Sequence, residues 1–407
     1  MSAAPFVVIG AGQAGLQVCD SLRKLGYAGE LVLIGAEATL PYQRPPLSKK
    51  FLAGDLEAER LYFRPATYYA KLDVTLLLDR EVHRIDREHH AIEFTDGLRL
   101  AYAKLALTTG ARVRPLQGPG ADCPDVFYVR TLDDGLRLRA RLRDVSHVTI
   151  VGGGFIGLEV AAMARSLGKE VVLLETLDRL MARAVSPAVS AYFADLHRAH
   201  GVDLRLACGV RGLETDAGTL RVSISQGPDI DTGLLVAGIG VLPNAELAVD
   251  AGLEGRDGIV VDVHARTADP DIVAAGDCTL HDNGFLARQV RLESVQNAVD
   301  QAKIAAASML GLAEPYVQVP WFWSDQYDAK LQMAGIGMPF DECVLRGERA
   351  SGSFSMFYFR AGRLVGADSI NRPVDHMACR KLLAQGTIVS PAELGREDID
   401  LMQLART

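Results

Sequence analysis

Tryptophan is almost missing from this 407-residue chain, and its two copies, Trp321 and Trp323, stand two positions apart in the stretch VPWFWSDQYDAK. Cysteine is scarce and scattered. Its six copies, Cys19, Cys123, Cys208, Cys278, Cys343 and Cys379, include no Cys-x-x-Cys pair. That excludes a zinc knuckle and a dithiol redox motif, calls for no metal site, and fits a reduced cytosol. Positive charge is not in excess either: 43 Lys and Arg against 51 Asp and Glu leave a net charge of −8. A general nucleic-acid binder needs a strongly basic surface to displace counterions, so the balance argues against that class. No apolar run reaches about 18 residues, and the opening MSAAPFVVIG carries no basic region. No membrane span, signal or transit peptide is therefore expected, and the chain reads as cytoplasmic. What it does have is length for two or three domains and 49% apolar residues to fill several cores.

Glycine is plentiful, and two clusters carry a pattern. The strand candidate PFVVIG runs into Gly10-Ala11-Gly12-Gln13-Ala14-Gly15, then a helix pattern, LQVCDSLRKLG, and a second strand, ELVLIGAE. This is a β-α-β unit with G-x-G-x-x-G at its first turn. Gly10 permits the tight turn, Gly12 lets backbone approach a pyrophosphate, and Gly15 lets helix and strand pack closely. The helix N-terminus offers unpaired N–H groups to phosphate. Glu37 ends the second strand 22 residues after Gly15, where a carboxylate can bind ribose hydroxyls.

The unit recurs 142 residues later. HVTIVG leads into Gly152-Gly153-Gly154-Phe155-Ile156-Gly157, with apolar residues at Ile156, Val160, Met163 and Leu167 on one helix face. EVVLLE closes it, with Glu175 standing 18 residues beyond Gly157. Two complete units point to two dinucleotides, one delivering hydride and the other receiving it. Glu175 favours NAD over NADP, because a carboxylate suits a 2′-hydroxyl and repels a 2′-phosphate. Arg179 and Arg183 nearby either bind phosphate or are solvated helix residues.

Five further segments bear on the chemistry, and three of them have two readings. The loop LPYQRPPLSKK, containing Arg44 and Lys49, either holds a charged ligand in one pose or is a surface loop opening a short helix. Thr109 and Gly110 follow the strand KLALTTG, where backbone can approach a cofactor; VAGIGVLPNAEL, with Gly240, reads as a crossing between domains. Asp277, after DIVAAG, either accepts bonds from ribityl hydroxyls or caps the next element. The helix that follows Ser294 and Val295 either directs its N-terminus at a flavin's N1–C2=O edge or is merely capped by Ser294.

With these residues in view, the chain resembles the FAD-containing, NADH-dependent ferredoxin reductases of the putidaredoxin reductase type, which feed cytochrome P450 enzymes and Rieske dioxygenases. The resemblance spans nearly the whole chain, through GAGQAG, PYQRPPLSK, TTGA, GGGFIGLE, GIGVLPN, AAGDC, ESVQNA and PWFWSDQ in that order. It implies an α/β fold with two Rossmann-like dinucleotide-binding domains and a C-terminal α+β domain. The FAD domain would be residues 1–112 and 245–316, the NAD domain 113–244, and the C-terminal domain 317–407.

For FAD, the resemblance implies Gly10, Gly12, Ala14 and Gly15 on the diphosphate and Glu37 on the ribose. Arg44 and Lys49 would flank the flavin and diphosphate, with Lys49 near N5. Val82 would meet adenine through its backbone, and Thr109, Gly110 and Arg130 would line the site. Asp277 would hold the ribityl region, Val295 the flavin O2 edge, and Trp323 the flavin's outer edge. For NADH, it implies Gly152, Gly154, Ile156, Gly157, Glu175, Arg183 and Gly240, with Glu159 near the nicotinamide. By position alone, Glu159 is equally a helix-dipole partner. The catalytic set is then Lys49, Glu159 and Trp323.

The implied partner is a 2Fe–2S ferredoxin, docking near Trp321 and Trp323 on a basic patch drawn from Arg288, Arg291, Lys330, Arg372, Arg380 and Lys381; each of these is also readable as an ordinary solvated residue. Other acceptors stay open, notably rubredoxin, and so does a slow redox-responsive binding protein like the apoptosis-inducing flavoproteins. A disulfide reductase would need a cysteine pair near the flavin, and an NADH oxidase or peroxidase a single cysteine in the PYQRPPLSK segment; neither is present. If PWFWSDQ is extended, Trp321 and Trp323 share one face and Phe322 takes the other. The face is either core packing or the electron exit.

Overall fold

The computed structural model describes residues 4–216 and 219–406, which form two compact units. The first takes the chain up to Gln43, Glu59–Arg112 and Leu242–Pro320; the second takes Arg44–Ala58, Val113–Val241 and Trp321–Thr407.

In the first unit a five-stranded parallel sheet has the order Ile272–Ala274, Lys104–Leu107, Phe6–Ile9, Leu31–Ile34, Thr75–Leu77. Its strands are short apolar runs because both faces are covered. Val8 and Leu33 join one core with Leu16 and Leu22 of the helix Gln13–Lys24, while Val7, Ile9 and Ile34 join a second with Ile92, Tyr102 and Ile259. Alternation along the strand thus feeds two layers. The helix Val295–Met309 contributes Ala298, Ala302 and Ala305 to the first core, small side chains that let it lie close to its neighbours.

The second unit repeats the plan with the order Val202–Arg205, Glu170–Leu174, His147–Val151, Leu234–Ala237, Val126–Phe127, again parallel. Its last 87 residues begin with a five-stranded antiparallel sheet and continue into the helix Pro373–Gln385. Leu331, Phe354, Tyr358 and Ile370 of that sheet share one core with Ile150, Leu173 and Phe193. The architecture is therefore the expected one: two Rossmann-like parallel sheets and a C-terminal α+β region.

The proline-rich segment 44–58 also packs into this second unit. Gly135 lies so close to Phe51 that an added Cβ would come within 3.0 Å of the ring, and the Arg139 guanidinium sits 4.7 Å above that ring's centre. Among the described residues, no helix is long and apolar enough to cross a membrane.

Candidate functional site

Each glycine turn is built by contacts that no other residue would permit. Gly10 has φ +112°, and a Cβ there would lie 2.1 Å from Thr108 O; a Cβ on Gly15 would lie 2.0 Å from Gly10 O. The repeat is matched: Gly152 has φ +109° with Gly238 O at 2.4 Å, and Gly157 would strike Gly152 O at 2.0 Å. The middle glycines behave differently. Around Gly12 and Gly154 nothing lies within 4 Å of an added Cβ. Both are helix N-caps without a side-chain cap or an acid in the first turn. The space beside each helix end is therefore open at the middle glycine, which leaves room for a pyrophosphate to approach.

In the first unit the remaining candidates cluster at the carboxyl ends of the parallel strands. Gly10, Glu37, Thr109 with Gly110, and Asp277 follow four of those strands in turn, the edge where open α/β sheets bind ligands. An added Cβ on Gly276 would meet Ala14 Cβ at 3.3 Å, so Asp277 follows a residue packed against the glycine turn. Glu37 accepts a bond from the Tyr42 hydroxyl at 2.6 Å. The Thr109 hydroxyl donates to Asn244 O at 2.6 Å, and Gly110 O accepts from Asn244 N–H at 2.9 Å. Val82 opens the strand Val82–Asp86, paired with Phe94. Ser294 is an N-cap, accepting from Asn297 N–H at 3.0 Å, and Val295 is the first helical residue after it. Tyr42 and Thr108 were not singled out from the sequence. Thr108 donates its hydroxyl within 2.9 Å of both Ile9 O and Gly10 O, and its place beside Thr109 in TTGA was the available signal.

In the second unit, Glu175 holds its turn in place: Oε2 accepts from Gly153 N–H at 2.7 Å and Oε1 from Leu177 N–H at 2.8 Å. Arg179 donates to Val185 O and Ala182 O at 2.9 and 2.5 Å, a loop-bracing role, whereas Arg183 is exposed. Ile156 is 41% exposed at the head of its helix. Gly240 has φ +102° and accepts from Arg114 N–H at 2.9 Å. Arg44 donates to Arg130 O at 2.5 Å.

The tightest electrostatic arrangement joins two candidates from distant segments. Lys49 Nζ lies 2.6 Å from Glu159 Oε2, and Ser48 donates its hydroxyl to the same oxygen at 2.5 Å. The other oxygen accepts from Ser324 at 2.7 Å. Glu159 is 3% exposed. A buried carboxylate with three donors is a fixed negative charge, able to hold an ammonium in one pose. Ser48 and Ser324 were missed in the sequence.

The strand Trp321–Gln326 forms a hairpin with Ala329–Gly335 through Tyr327 and Asp328, with Tyr327 at φ +54°. Its period of two sends Trp321, Trp323 and Asp325 to one face, where with Lys330, Gln332 and Pro373 they line a cavity of about 410 Å³. The indole rings are 5.6 Å apart, and Arg380 lies 4.7 Å over Trp321. Both tryptophans are half-buried. Of the basic candidates, Lys330, Lys381 and, in the first unit, Arg288 are exposed. Arg291 pairs with Asp257 at 3.1 Å and with Glu293, and Arg372 with Asp375 and Glu397 at 2.7 Å each. Those two charges are balanced locally.

Comparison with known proteins agrees with this construction. Residues 4–302 match the family described as pyridine nucleotide-disulphide oxidoreductase, and 321–405 match the reductase C-terminal family. The chain is 46% identical to rhodocoxin reductase of Rhodococcus erythropolis over 397 residues, covering 97% of this chain and 93% of that one. It superposes on the ferredoxin reductase for the CYP199A2 system from Rhodopseudomonas palustris with TM-score 0.97, at 42% identity over 99% and 100% of the two chains. It also superposes on the reductase in the covalent putidaredoxin reductase–putidaredoxin complex with TM-score 0.95, at 37% identity over 100% and 99%.

Proposed function

Because the chain belongs to the FAD-dependent NADH:ferredoxin reductases of the putidaredoxin reductase type, we propose that it takes hydride from NADH and delivers electrons one at a time to a 2Fe–2S ferredoxin serving a cytochrome P450 or Rieske oxygenase. The observation that carries this reading is the pair of open glycine cradles, one in each unit, which suits a chain that binds both a hydride donor and a hydride acceptor. FAD, when bound, supplies the exchange of one hydride for two single electrons.

The protein's own residues then have separable tasks. The N–H groups beyond Gly12 and Gly154 take the two pyrophosphates, and Glu37 and Glu175 take ribose hydroxyls. Glu175 also disfavours a 2′-phosphate, so NADH is the donor. Lys49, oriented by Glu159, controls the electrostatics of hydride transfer. Thr109, Gly110, Asp277 and Val295 complete the FAD set in the first unit, and in the second Arg44 is held by the Arg130 carbonyl. The functional partition is 1–112 with 245–316 for FAD, 113–244 for NAD, and 317–407 for the C-terminal domain, and the setting is cytoplasmic.

The ferredoxin docks at the face bearing Trp321 and Trp323, with Lys330, Arg380 and Lys381 as its nearest cations. Steering of an acidic partner makes its association faster at low salt. The decisive experiment mixes the purified holoenzyme with NADH or NADPH and a panel of 2Fe–2S ferredoxins and rubredoxins. Rapid NADH-dependent ferredoxin reduction that slows with added salt is expected. Faster reduction of rubredoxin would reassign the acceptor, and a flavin not reduced by NADH would sink the proposal.

A further inference from the structure

Opposite the tryptophans, the same strand has a second face. Ser324 and Gln326 are fully buried there, and so is His197 of the helix Pro187–Ala199. Gln326 Nε2 lies 3.2 Å from Ser324 Oγ, and His197 Nε2 lies 3.0 Å from Gln326 Oε1. Beyond the histidine, the Tyr327 hydroxyl is 3.5 Å from His197 Nδ1. Together with the Ser324–Glu159 bond, these contacts form a continuous chain running from the hairpin turn to the carboxylate that holds Lys49.

The direction of every bond follows from its end. A carboxylate only accepts, so Ser324 spends its one proton on Glu159 Oε1. Its oxygen must then accept, which turns the Gln326 amide so that nitrogen faces Ser324 and oxygen faces the histidine. That oxygen also only accepts, so His197 carries its proton on Nε2 and leaves Nδ1 to accept from Tyr327. The ring is neutral, in keeping with burial, which pushes its pKa down to about 4.

We infer that Ser324, Gln326 and His197 are positioning residues for hydride transfer, a one-way chain of donors that locks the Glu159 carboxylate in the orientation that holds the Lys49 ammonium. The inference rests on the role proposed above for the Lys49–Glu159 pair. Its physical basis is that the last torsion of a glutamate is broad and close to two-fold, so one ammonium does not fix the carboxylate plane. Lys49 and Ser48 occupy Oε2, and Ser324 donates to Oε1, which tells the two oxygens apart. Gln326 and His197 do not touch Glu159. They act by leaving the Ser324 hydroxyl a single direction in which to donate.

The test uses the full-length holoenzyme with S324A, S324T, Q326L and K49A. Stopped flow gives the limiting rate of flavin reduction and the apparent Kd for NADH, and nitrogen NMR of the imidazoles gives the His197 tautomer, assigned with H197Q. S324A is expected to lower the limiting rate about tenfold, within the range that slight misplacement of a reacting group costs, with Kd for NADH nearly unchanged. S324T, which keeps the hydroxyl, restores most of the rate, and Q326L gives a smaller loss. His197 is expected as the neutral Nε2–H tautomer at pH 7, with that preference lost in Q326L. An unchanged limiting rate in S324A, or an Nδ1–H tautomer in the parent protein, would overturn the inference. K49A separates the two levels: if it too leaves the rate unchanged, the role of the pair itself has failed; if only K49A slows reduction, the positioning chain alone has failed. Should S324A melt early, Q326L and the tautomer decide.

Discussion

Lys49 and Glu159 are 110 residues apart in the chain and 2.6 Å apart in space, and the Glu159 side chain is only 2% exposed against 18% for Lys49. A buried pair of this kind contributes little net stability, because desolvating both charges offsets their attraction. Breaking it is another matter, since the partner left behind stays buried and uncompensated. The asymmetry in exposure fixes which partner is the anchor. Glu159 is sealed in and held by two hydroxyls as well, while Lys49 keeps one side open to whatever approaches it.

Lys49→Ala is therefore expected to leave FAD bound and to slow its reduction by NADH about a hundredfold, the scale on which lost alignment and lost electrostatic support act. The same variant costs about 3 kcal/mol in unfolding free energy through the stranded carboxylate. Stopped-flow bleaching of the flavin reads the first effect and urea melts read the second. An unchanged hydride-transfer rate would remove Lys49 from the chemistry.

The two kinds of glycine in the second turn separate folding from binding. Gly157→Ala forces a Cβ to within 2.0 Å of Gly152 O and should lower the melting temperature along with the affinity for NADH. Gly154→Ala meets nothing within 4 Å, so the fold should be kept. Its methyl group instead occupies the space a pyrophosphate needs, raising KM for NADH about tenfold with the melting temperature within a degree or two. Equal losses of stability in both variants would show that the space around Gly154 is not a ligand's.

Much of this was legible in the sequence because it is local. Each glycine turn with its strand, helix and terminal acid fits within about 30 residues, and the order of the motifs carried the family. The alternation in PWFWSDQ placed both tryptophans on one face. It also put Ser324 and Gln326 on the other, but their partners come from elements 165 and 129 residues away in the chain, and no periodicity reports those. Arg291 and Arg372 read as free cations for a similar reason: the carboxylates that balance them are not all neighbours in sequence. Arg179 was left open between phosphate and solvent, and the two backbone carbonyls it ties down lie three and six residues along the chain.

Three buried histidines make stability depend on acid in a predictable direction. Burial pushes His197 and His376, in the second unit, and His281, in the first, from near 6.5 down to about 4. Above pH 6.5 both folded and unfolded rings are neutral, and the histidines cost nothing. As pH falls below 6.5 the unfolded rings bind protons first, so stability drains until the folded rings also protonate near pH 4. At about 1.4 kcal/mol per unit, each ring removes about 3 kcal/mol over that window. His197→Gln keeps an amide donor for Gln326 and should flatten the decline by one ring's share. Urea melts at pH 7, 6, 5 and 4.5 on both proteins measure the difference, and parallel curves would mean that His197 is charged or exposed when folded.

Trp323 gives the sharpest separation between the two halves of the reaction. It is half-buried on the cavity-lining face of its strand, beside Trp321 and opposite Gln332 in register, while its neighbour Ser324 faces Glu159. Removing the indole should therefore empty the outer face and leave the carboxylate and its ammonium where they are. Trp323→Ala is expected to lower the rate of electron delivery to a 2Fe–2S ferredoxin at least tenfold, the order of loss seen when a central aromatic is cut from an interface. Reduction of the flavin by NADH should change by no more than about twofold. The two half-reactions are measured separately, one by flavin bleaching under NADH alone and the other by mixing the prereduced enzyme with oxidised ferredoxin. Equal losses in both would return Trp323 to simple packing, because a side chain that only supports the strand disturbs Ser324 and the electron exit together.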